Sequence, residues 1–194
     1  MKTLLIALSF AMFLSGCGFQ SLPQGKNQVE AALAEITNQY KRRADLIPNL
    51  VNVVKGYATH EEKTLEGVVE ARAKASQITI DPSKVSAEKL AEFSRAQGQL
   101  SQALGRLMVL QEQYPNLKAD TQFRDLQAQL EGTENRITVA RQRYIASIQE
   151  FNNLVTVPFT SWTNSLMYHY EKMPQWDLSA EEKTSVQQPP KVQF

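Results

Sequence analysis

From Asn27 onward, apolar residues return every third or fourth position. Val29, Ile36, Leu50 and Tyr57 are spaced by seven or fourteen, and Leu33, Tyr40, Ile47 and Val54 are spaced by seven. Interleaved, the two series draw one stripe along a helix of 3.6 residues per turn, so the spacing predicts a helix of about eight turns. Two residues interrupt the stripe. Arg43 takes a position where an apolar side chain is expected. Pro48 has no N–H for the carbonyl of Ala44, so the helix is expected to kink or restart there, with Asn49 and Asn52 as nearby polar partners.

Thr59-His60-Glu61-Glu62 reads as a capping box with Thr59 as N-cap, opening a second helix that ends near Gln77 and carries Leu65, Val68, Arg72 and Ala75 on one side. Residues 78–86 contain Asp81-Pro82-Ser83 and read as a loop, and Ser86 is the expected N-cap of a third helix. Its stripe is Leu90, Phe93, Gln97, Leu100, Leu104, Leu107 and Gln111, and Tyr114-Pro115-Asn116 ends it. The fourth pattern is the longest. From 119 to 157 it runs Phe123, Leu126, Leu130, Thr133, Ile137, Ala140, Tyr144, Ile148, Phe151 and Val155, a helix of about 58 Å. Pro158 stops it. Residues 159–172 are expected to form a short aromatic helix, and the proline-containing stretch from 173 onward an extended tail. The expected fold is all-α: an antiparallel four-helix bundle with long helices, an N-terminal signal and lipid anchor, a short C-terminal helix and an extended tail. A coiled-coil homo-oligomer competes, but the turns between helices favour folding back. The domain reading is 1–16 signal peptide, 17–26 lipidated tether, 27–173 helical bundle and 174–194 tail.

The anchor follows from the first residues. Met1-Lys2-Thr3 is a short basic start, and residues 4–14 are an apolar run too short for a bilayer span, which needs roughly 20 residues. The run ends in Leu14-Ser15-Gly16-Cys17. Small residues before a cysteine match the bacterial lipobox, which implies acylation of Cys17 (palmitate among the acyl groups) and cleavage before it. Two or more acyl chains hold stably where one is marginal. Gly18 rather than Asp after the cysteine favours the outer membrane if the host is Gram-negative. The expected location is therefore the bacterial cell envelope, facing the periplasm or the exterior.

Charge removes several classes of function. Lys and Arg number 21 against 20 Asp and Glu, and Lys2 is the only charge within 1–16, so the processed chain is formally neutral. No basic excess exists to bind phosphate backbones, and no nucleic-acid partner is expected. Cys17 is the only cysteine, and once acylated it leaves no thiol for a disulfide, a zinc site or a nucleophile.

Three stretches resemble a known family. Tyr40-Lys41-Arg42-Arg43-Ala44-Asp45-Leu46-Ile47-Pro48-Asn49-Leu50-Val51, continued by Val54-Lys55-Gly56-Tyr57-Ala58 and His60-Glu61, is similar to the LemA family. So are Glu134-Asn135-Arg136-Ile137 with Ala140-Arg141 and Tyr144, and the ending around Pro174 and Pro190-Lys191-Val192-Gln193-Phe194. The resemblance spans nearly all of the processed chain. It implies an antiparallel four-helix bundle anchored to the envelope at its N-terminus, no established enzymatic activity, and an accessory role among membrane proteins. Many members close the fourth helix with Phe-Pro and a later Gly-Phe turn, where this chain has Val157-Pro158 and Tyr168-His169-Tyr170. Many also carry a longer transmembrane anchor where this chain has a lipobox.

Catalytic patterns are not found. The only histidines are His60 and His169, neither within Glu-x-x-His, and the zincin, P-loop, nucleophile-elbow and haem-attachment patterns are missing from the sequence. No catalytic residue, metal ligand or cofactor is expected. One polar constellation stands out: Arg42, Arg43, Asp45 and Asn49 with Glu134, Asn135, Arg136 and Arg141. If helices one and four are neighbours, Arg43 meets Glu134 inside the bundle, either as a structural pair that fixes register or as part of a docking patch. On that basis Arg43→Met is expected to be tolerated better than Glu134→Ala, which strands a cation. The function expected is a non-catalytic, membrane-anchored scaffold or accessory protein for other envelope proteins, with homo-oligomerisation open. The alternative is a small-ligand-binding or hydrolytic protein using a polar pocket between helices one and four.

Overall fold

The computed structural model describes the backbone of residues 2–176 and the side chains of residues 19–176. Among these residues the fold is all-helical, without a strand. α1 spans Lys2–Tyr57, α2 Glu62–Gln77, α3 Ala87–Val109, α4 Pro115–Ala119, α5 Thr121–Thr156 and α6 Thr160–Thr163. A π-helical turn, Asn164–Tyr168, follows α6.

Pairings along the helices fix their directions. Gly25 of α1 faces Phe151 and Leu154 of α5, Glu35 pairs with Arg143, Arg43 with Glu134, and Tyr57 with Asp120, so α5 runs antiparallel to α1 over its whole length. Tyr40 meets Phe93, and Arg43 meets Gln97 and Ser101, so α3 runs parallel to α1. α2 packs against both α3 and α1. The stripe residues Val29, Leu33, Ile36, Tyr40, Ile47, Leu50 and Val54 are all buried, as are Phe123, Leu126, Leu130, Ile137, Tyr144, Ile148 and Phe151. Tyr57 is the exception on α1, 42% exposed.

The apolar core divides in two. One cluster joins Ile47, Leu50 and Val54 to Leu100, Leu107, Phe123 and Leu130. The other joins Leu33, Ile36 and Tyr40 to Leu90, Phe93, Ile137, Tyr144 and Trp176. On α1 the boundary falls at Arg43, on α3 between Phe93 and Ala96, next to Gln97, and on α5 at Thr133 and Glu134.

Helix starts agree with the sequence at Ser86, whose hydroxyl accepts from the Lys89 N–H at 3.2 Å. They differ at Thr59. Ala58 is buried and its carbonyl accepts from the Glu61 N–H, which holds residues 58–61 in a turn and delays α2 to Glu62. Glu61 takes the N-cap position without a side-chain cap bond, and Thr59 stands two residues too early to cap. α5 is capped by Asp120, whose Oδ1 accepts from the Phe123 N–H at 2.8 Å.

The expected tether is corrected: residues 18–26 are part of α1, which continues through Pro23. Leu22 is fully buried, and a Cβ on Gly25 would sit 3.0 Å from Leu154 Cδ1 and 3.4 Å from Phe151 Cδ2. Glycine serves here as a close-approach residue rather than as a flexible one. The expected 159–172 helix is also shorter than its pattern, since the helical turns end at Tyr168. Beyond it the chain is extended but docked. Asn152 donates to the Met173 carbonyl and accepts from the Met173 N–H, and Asn164 does the same with Tyr170. These two amides carry Trp176 into the core, 6.3 Å from Phe93 and 6.1 Å from Tyr144 between ring centroids. The rest of the expected tail, 177–194, lies outside the described residues.

Both prolines inside α1 obey one rule. A proline at position i leaves the carbonyl at i−4 without its helical donor, and a polar group left unpaired away from water is costly. For Pro48 that carbonyl is Ala44, and Arg72 Nε of α2 donates to it at 2.8 Å, the role for which Asn49 and Asn52 were expected. For Pro23 it is Phe19, and the Tyr168 hydroxyl donates to it at 2.9 Å. α1 stays continuous because other elements supply the missing donors. Arg72→Met is therefore expected to cost about 1.5–3 kcal/mol, the range for a hydrogen bond from a charged donor. In a Pro48→Ala background, where the helix supplies its own N–H, the same change is expected to cost markedly less. Chemical denaturation of the four proteins of this cycle measures the coupling, and additive costs refute the pairing.

Candidate functional site

Arg43 projects from α1 between the two apolar clusters and is 2% exposed. Its guanidinium is held by protein acceptors on α3 and α5. Nη1 donates to Ser101 Oγ at 2.8 Å and to Glu134 Oε2 at 2.9 Å. Nη2 donates to the Gln97 carbonyl at 3.1 Å and to Gln97 Oε1 at 2.8 Å. The guanidinium also lies over the Tyr40 ring, 4.9 Å from its centroid, a cation–π contact on the same helix. Arg43 Nε has no acceptor among the described residues.

Glu134 is less committed. Its side chain is 48% exposed against 3% for that of Arg43, so the pair is buried at the cation and wet at the anion. Thr133 beside it is fully buried and donates to its own helix at the Gln129 carbonyl. With Arg72 on the Ala44 carbonyl, all four of α1, α2, α3 and α5 contribute polar groups to one level of the structure.

The other members of the expected cluster do not converge there. Arg42, Asp45, Asn49, Asn135 and Arg136 are exposed, and Arg141 is half-buried with interactions of its own. Asp45 borders a groove of about 530 Å³ between α1, α2 and α3, together with Lys41, Arg72 and Gln97. Asn49 borders a shallower one with Asn52, Tyr57 and Asp120. Gln97 and Ser101 are the principal acceptors missing from the expected cluster. The signal for Gln97 was present, a polar residue on an apolar stripe. Its relation to Arg43 required knowing that α1 and α3 are parallel neighbours. His60 and His169 are both exposed, and among the described residues no group of three His, Cys, Asp or Glu side chains gathers as a metal site requires.

At the far end of α1, Tyr57 donates to Asp120 Oδ2 at 2.8 Å. The Phe123 backbone N–H, and after it the Tyr57 hydroxyl, hold the Asp120 carboxyl below the usual carboxylate range, while the same bond raises Tyr57. Tyr144 is raised by burial alone, to about 12.

The LemA family model matches residues 32–194. The chain belongs to the LemA family. A curated relative, Protein LemA of Metamycoplasma hominis, is 27% identical over 143 residues, covering 74% of this chain. The match spans 60% of that relative's length. The LemA match begins inside α1 and takes in every helix that contributes to the Arg43 level.

The buried cation and the Asp120 cap each have a measurable consequence. The sequence suggested a wide gap between Arg43→Met and Glu134→Ala, and the structure narrows it. Glu134→Ala removes the only counter-charge hydrogen-bonded to Arg43 among the described residues but leaves three neutral acceptor contacts, so a cost of about 1–3 kcal/mol is expected, below that of a fully buried pair. Arg43→Met strands the Gln97 acceptors at a similar cost, about 1–3 kcal/mol. The double change Arg43→Met with Gln97→Leu is expected to recover most of it, as apolar replacement of buried ionic groups does. Urea unfolding of the three variants measures this, and a double variant no better than Arg43→Met alone refutes it.

The second concerns pH. A carboxyl lowered by folding contributes stability above its unfolded pKa, about 3.9, and loses it as pH falls through the lowered folded value. Asp120→Ala is expected to lower the melting temperature at pH 7, with the deficit fading toward pH 2. Asp120→Asn is expected to recover most of it at pH 7, since Asn also caps. A deficit independent of pH argues against the carboxylate.

Proposed function

We propose that this LemA-family chain is an exported lipoprotein, cleaved before Cys17, held to the envelope membrane by acyl chains on that residue, and built as an antiparallel four-helix bundle that serves other envelope proteins as a non-catalytic scaffold. The observation that carries the reading is the sequence Leu14-Ser15-Gly16-Cys17 at the end of a short apolar run. The Cys17 side chain lies outside the described residues. No described helix is long and apolar enough to cross a membrane, which fits attachment by acyl chains rather than by one of these helices. Cleavage before Cys17 would leave α1 starting five residues ahead of Leu22, the first buried apolar residue of α1 among those described, so anchor and core would be joined by little more than one turn.

The polar level at Arg43 supports a non-catalytic role. Four of its donor contacts end on protein acceptors, and of the expected cluster Arg42, Asn135 and Arg136 are exposed away from it while Asp45 alone borders the groove between α1, α2 and α3. A catalytic pocket gathers such groups around a cavity, with shifted pKa values. The exposed faces of α1 and α5, bearing Arg42, Asp45, Asn135 and Arg136, are available to partner proteins.

Mass spectrometry of the protein purified from native membranes tests the anchor. The expected mass is that of residues 17–194 plus acyl groups, and Cys17→Ser is expected to abolish both cleavage and acylation. An intact Met1 start with a free thiol overturns the reading. In-cell crosslinking from the exposed α1–α5 face is expected to give a specific adduct with an envelope protein that charge reversal at Arg42 and Arg136 removes.

A further inference from the structure

Residues 3–25 contain no Asp, Glu, Lys or Arg, and neither do residues 151–170, in a chain that is 21% charged. The fold brings these two uncharged stretches to one end of the helical body. Gly25 packs on Phe151 and Leu154, α6 packs on α1, and the Tyr168 hydroxyl reaches the Phe19 carbonyl. Within 157–168 five apolar side chains face outward, Val157, Phe159, Trp162, Leu166 and Met167, exposed by 51%, 68%, 69%, 81% and 51%, with Phe19 of α1 beside them at 42%.

The backbone is strained to hold them so. Phe159 has φ 70 and ψ −57, and the Thr160 N–H donates to the Pro158 carbonyl at 3.0 Å, which makes a γ-turn of the rare positive-φ kind. A phenylalanine in that conformation is unfavourable, and strain of this kind marks functional segments. It is not offset by burial within the described residues, because the Phe159 ring touches only Trp162 among the aromatic rings and both are mostly exposed.

We propose that the segment 157–168 is a second membrane contact, seated in the headgroup–acyl boundary beside the lipid anchor. This rests on the reading that Cys17 is acylated. Cys17 precedes Phe19 by two residues, about 3 Å of helix rise, so an acyl anchor there brings the bilayer to the end of the body where the uncharged apolar surface lies. An amphipathic indole and an absence of charge suit that boundary. Phe159, Trp162 and Leu166 enter the acyl edge. Tyr168 stays back, tied to α1, and Lys26 over the Tyr170 ring marks the level at which charge resumes. Two independent contacts then fix the orientation of α1 relative to the membrane, where an anchor alone leaves it free.

The two tryptophans make the test direct, since Trp162 is exposed and Trp176 is core. The full acylated chain is placed in phosphatidylethanolamine–phosphatidylglycerol vesicles carrying acyl-brominated lipid, and flotation and emission are read together. The expected result is flotation, with bromolipid quenching and a blue shift that Trp162→Phe abolishes. Flotation without quenching of Trp162 overturns this proposal and leaves the anchor reading intact. Failure to float overturns both. Trp162 shielded from aqueous iodide before lipid is added overturns it in favour of residues 177–194 or a second copy as the cover.

Discussion

One buried guanidinium sets the register of this fold. Arg43 occupies the boundary between two apolar clusters, and its acceptors come from α3 and α5 at that same level. A slide of α1 by one heptad would keep its apolar stripe facing the core, because the stripe repeats every seven residues. It would carry Arg43 about 10 Å into a layer of leucines or aromatics. An unpaired charge there is far more costly than an apolar mismatch. The apolar stripes bring the helices together, and Arg43 selects among the registers they allow. Net stabilisation by the pair is not required for this, and the half-exposed Glu134 argues that its contribution to stability is modest.

The prolines of α1 act by the same logic. Each creates a carbonyl acceptor with no helical donor, and each acceptor is met by one side chain from a defined partner, Arg72 at Ala44 and Tyr168 at Phe19. The first lies next to Arg43 in sequence and adds α2 to the polar level. The second ties the C-terminal segment to the base of α1. In both places a local defect of the helix becomes a point of attachment with fixed geometry, which apolar packing alone supplies less sharply.

What could be read in the sequence divides along this line. Periodicity located the apolar faces of α1, α3 and α5, and nearly every stripe residue is buried, because a helix face is a local property. Arg43 was legible as an exception for the same reason. Gln97 and Arg72 stood on their stripes equally visibly, but their partners are set by which helices are neighbours, and no local pattern carries that. Residues 18–26 misled because Pro23 and Gly25 are ordinary signs of a linker. Here Gly25 is held by a close approach to Leu154, and the Pro23 defect is met by a residue 149 positions after Phe19. Trp176 reads as part of a tail because its surroundings are rich in proline, whereas Asn152 and Asn164 dock that stretch through backbone bonds. Thr59 satisfied the capping pattern, yet the buried Ala58 moved the turn.

The two ends of the helical body differ in kind, and this bears on the scaffold role proposed for it. At the α1–α2 turn the surface is polar: Tyr57 meets Asp120, Tyr114 meets Glu61 and Lys118 meets Glu112. At the opposite end charge is missing from two stretches of chain that fold together. Between them α1 runs without a break, locked to α5 by contacts from Gly25 to Tyr57. From Gly25 to Tyr57 is about 48 Å of helix at 1.5 Å per residue. Under the proposed anchoring at Cys17, a rod held at one end and polar at the other would keep its distal surface at a set height. The register chosen at Arg43 would keep that height the same in every copy, because a one-heptad slip shifts α1 against α5 and moves the two ends relative to each other.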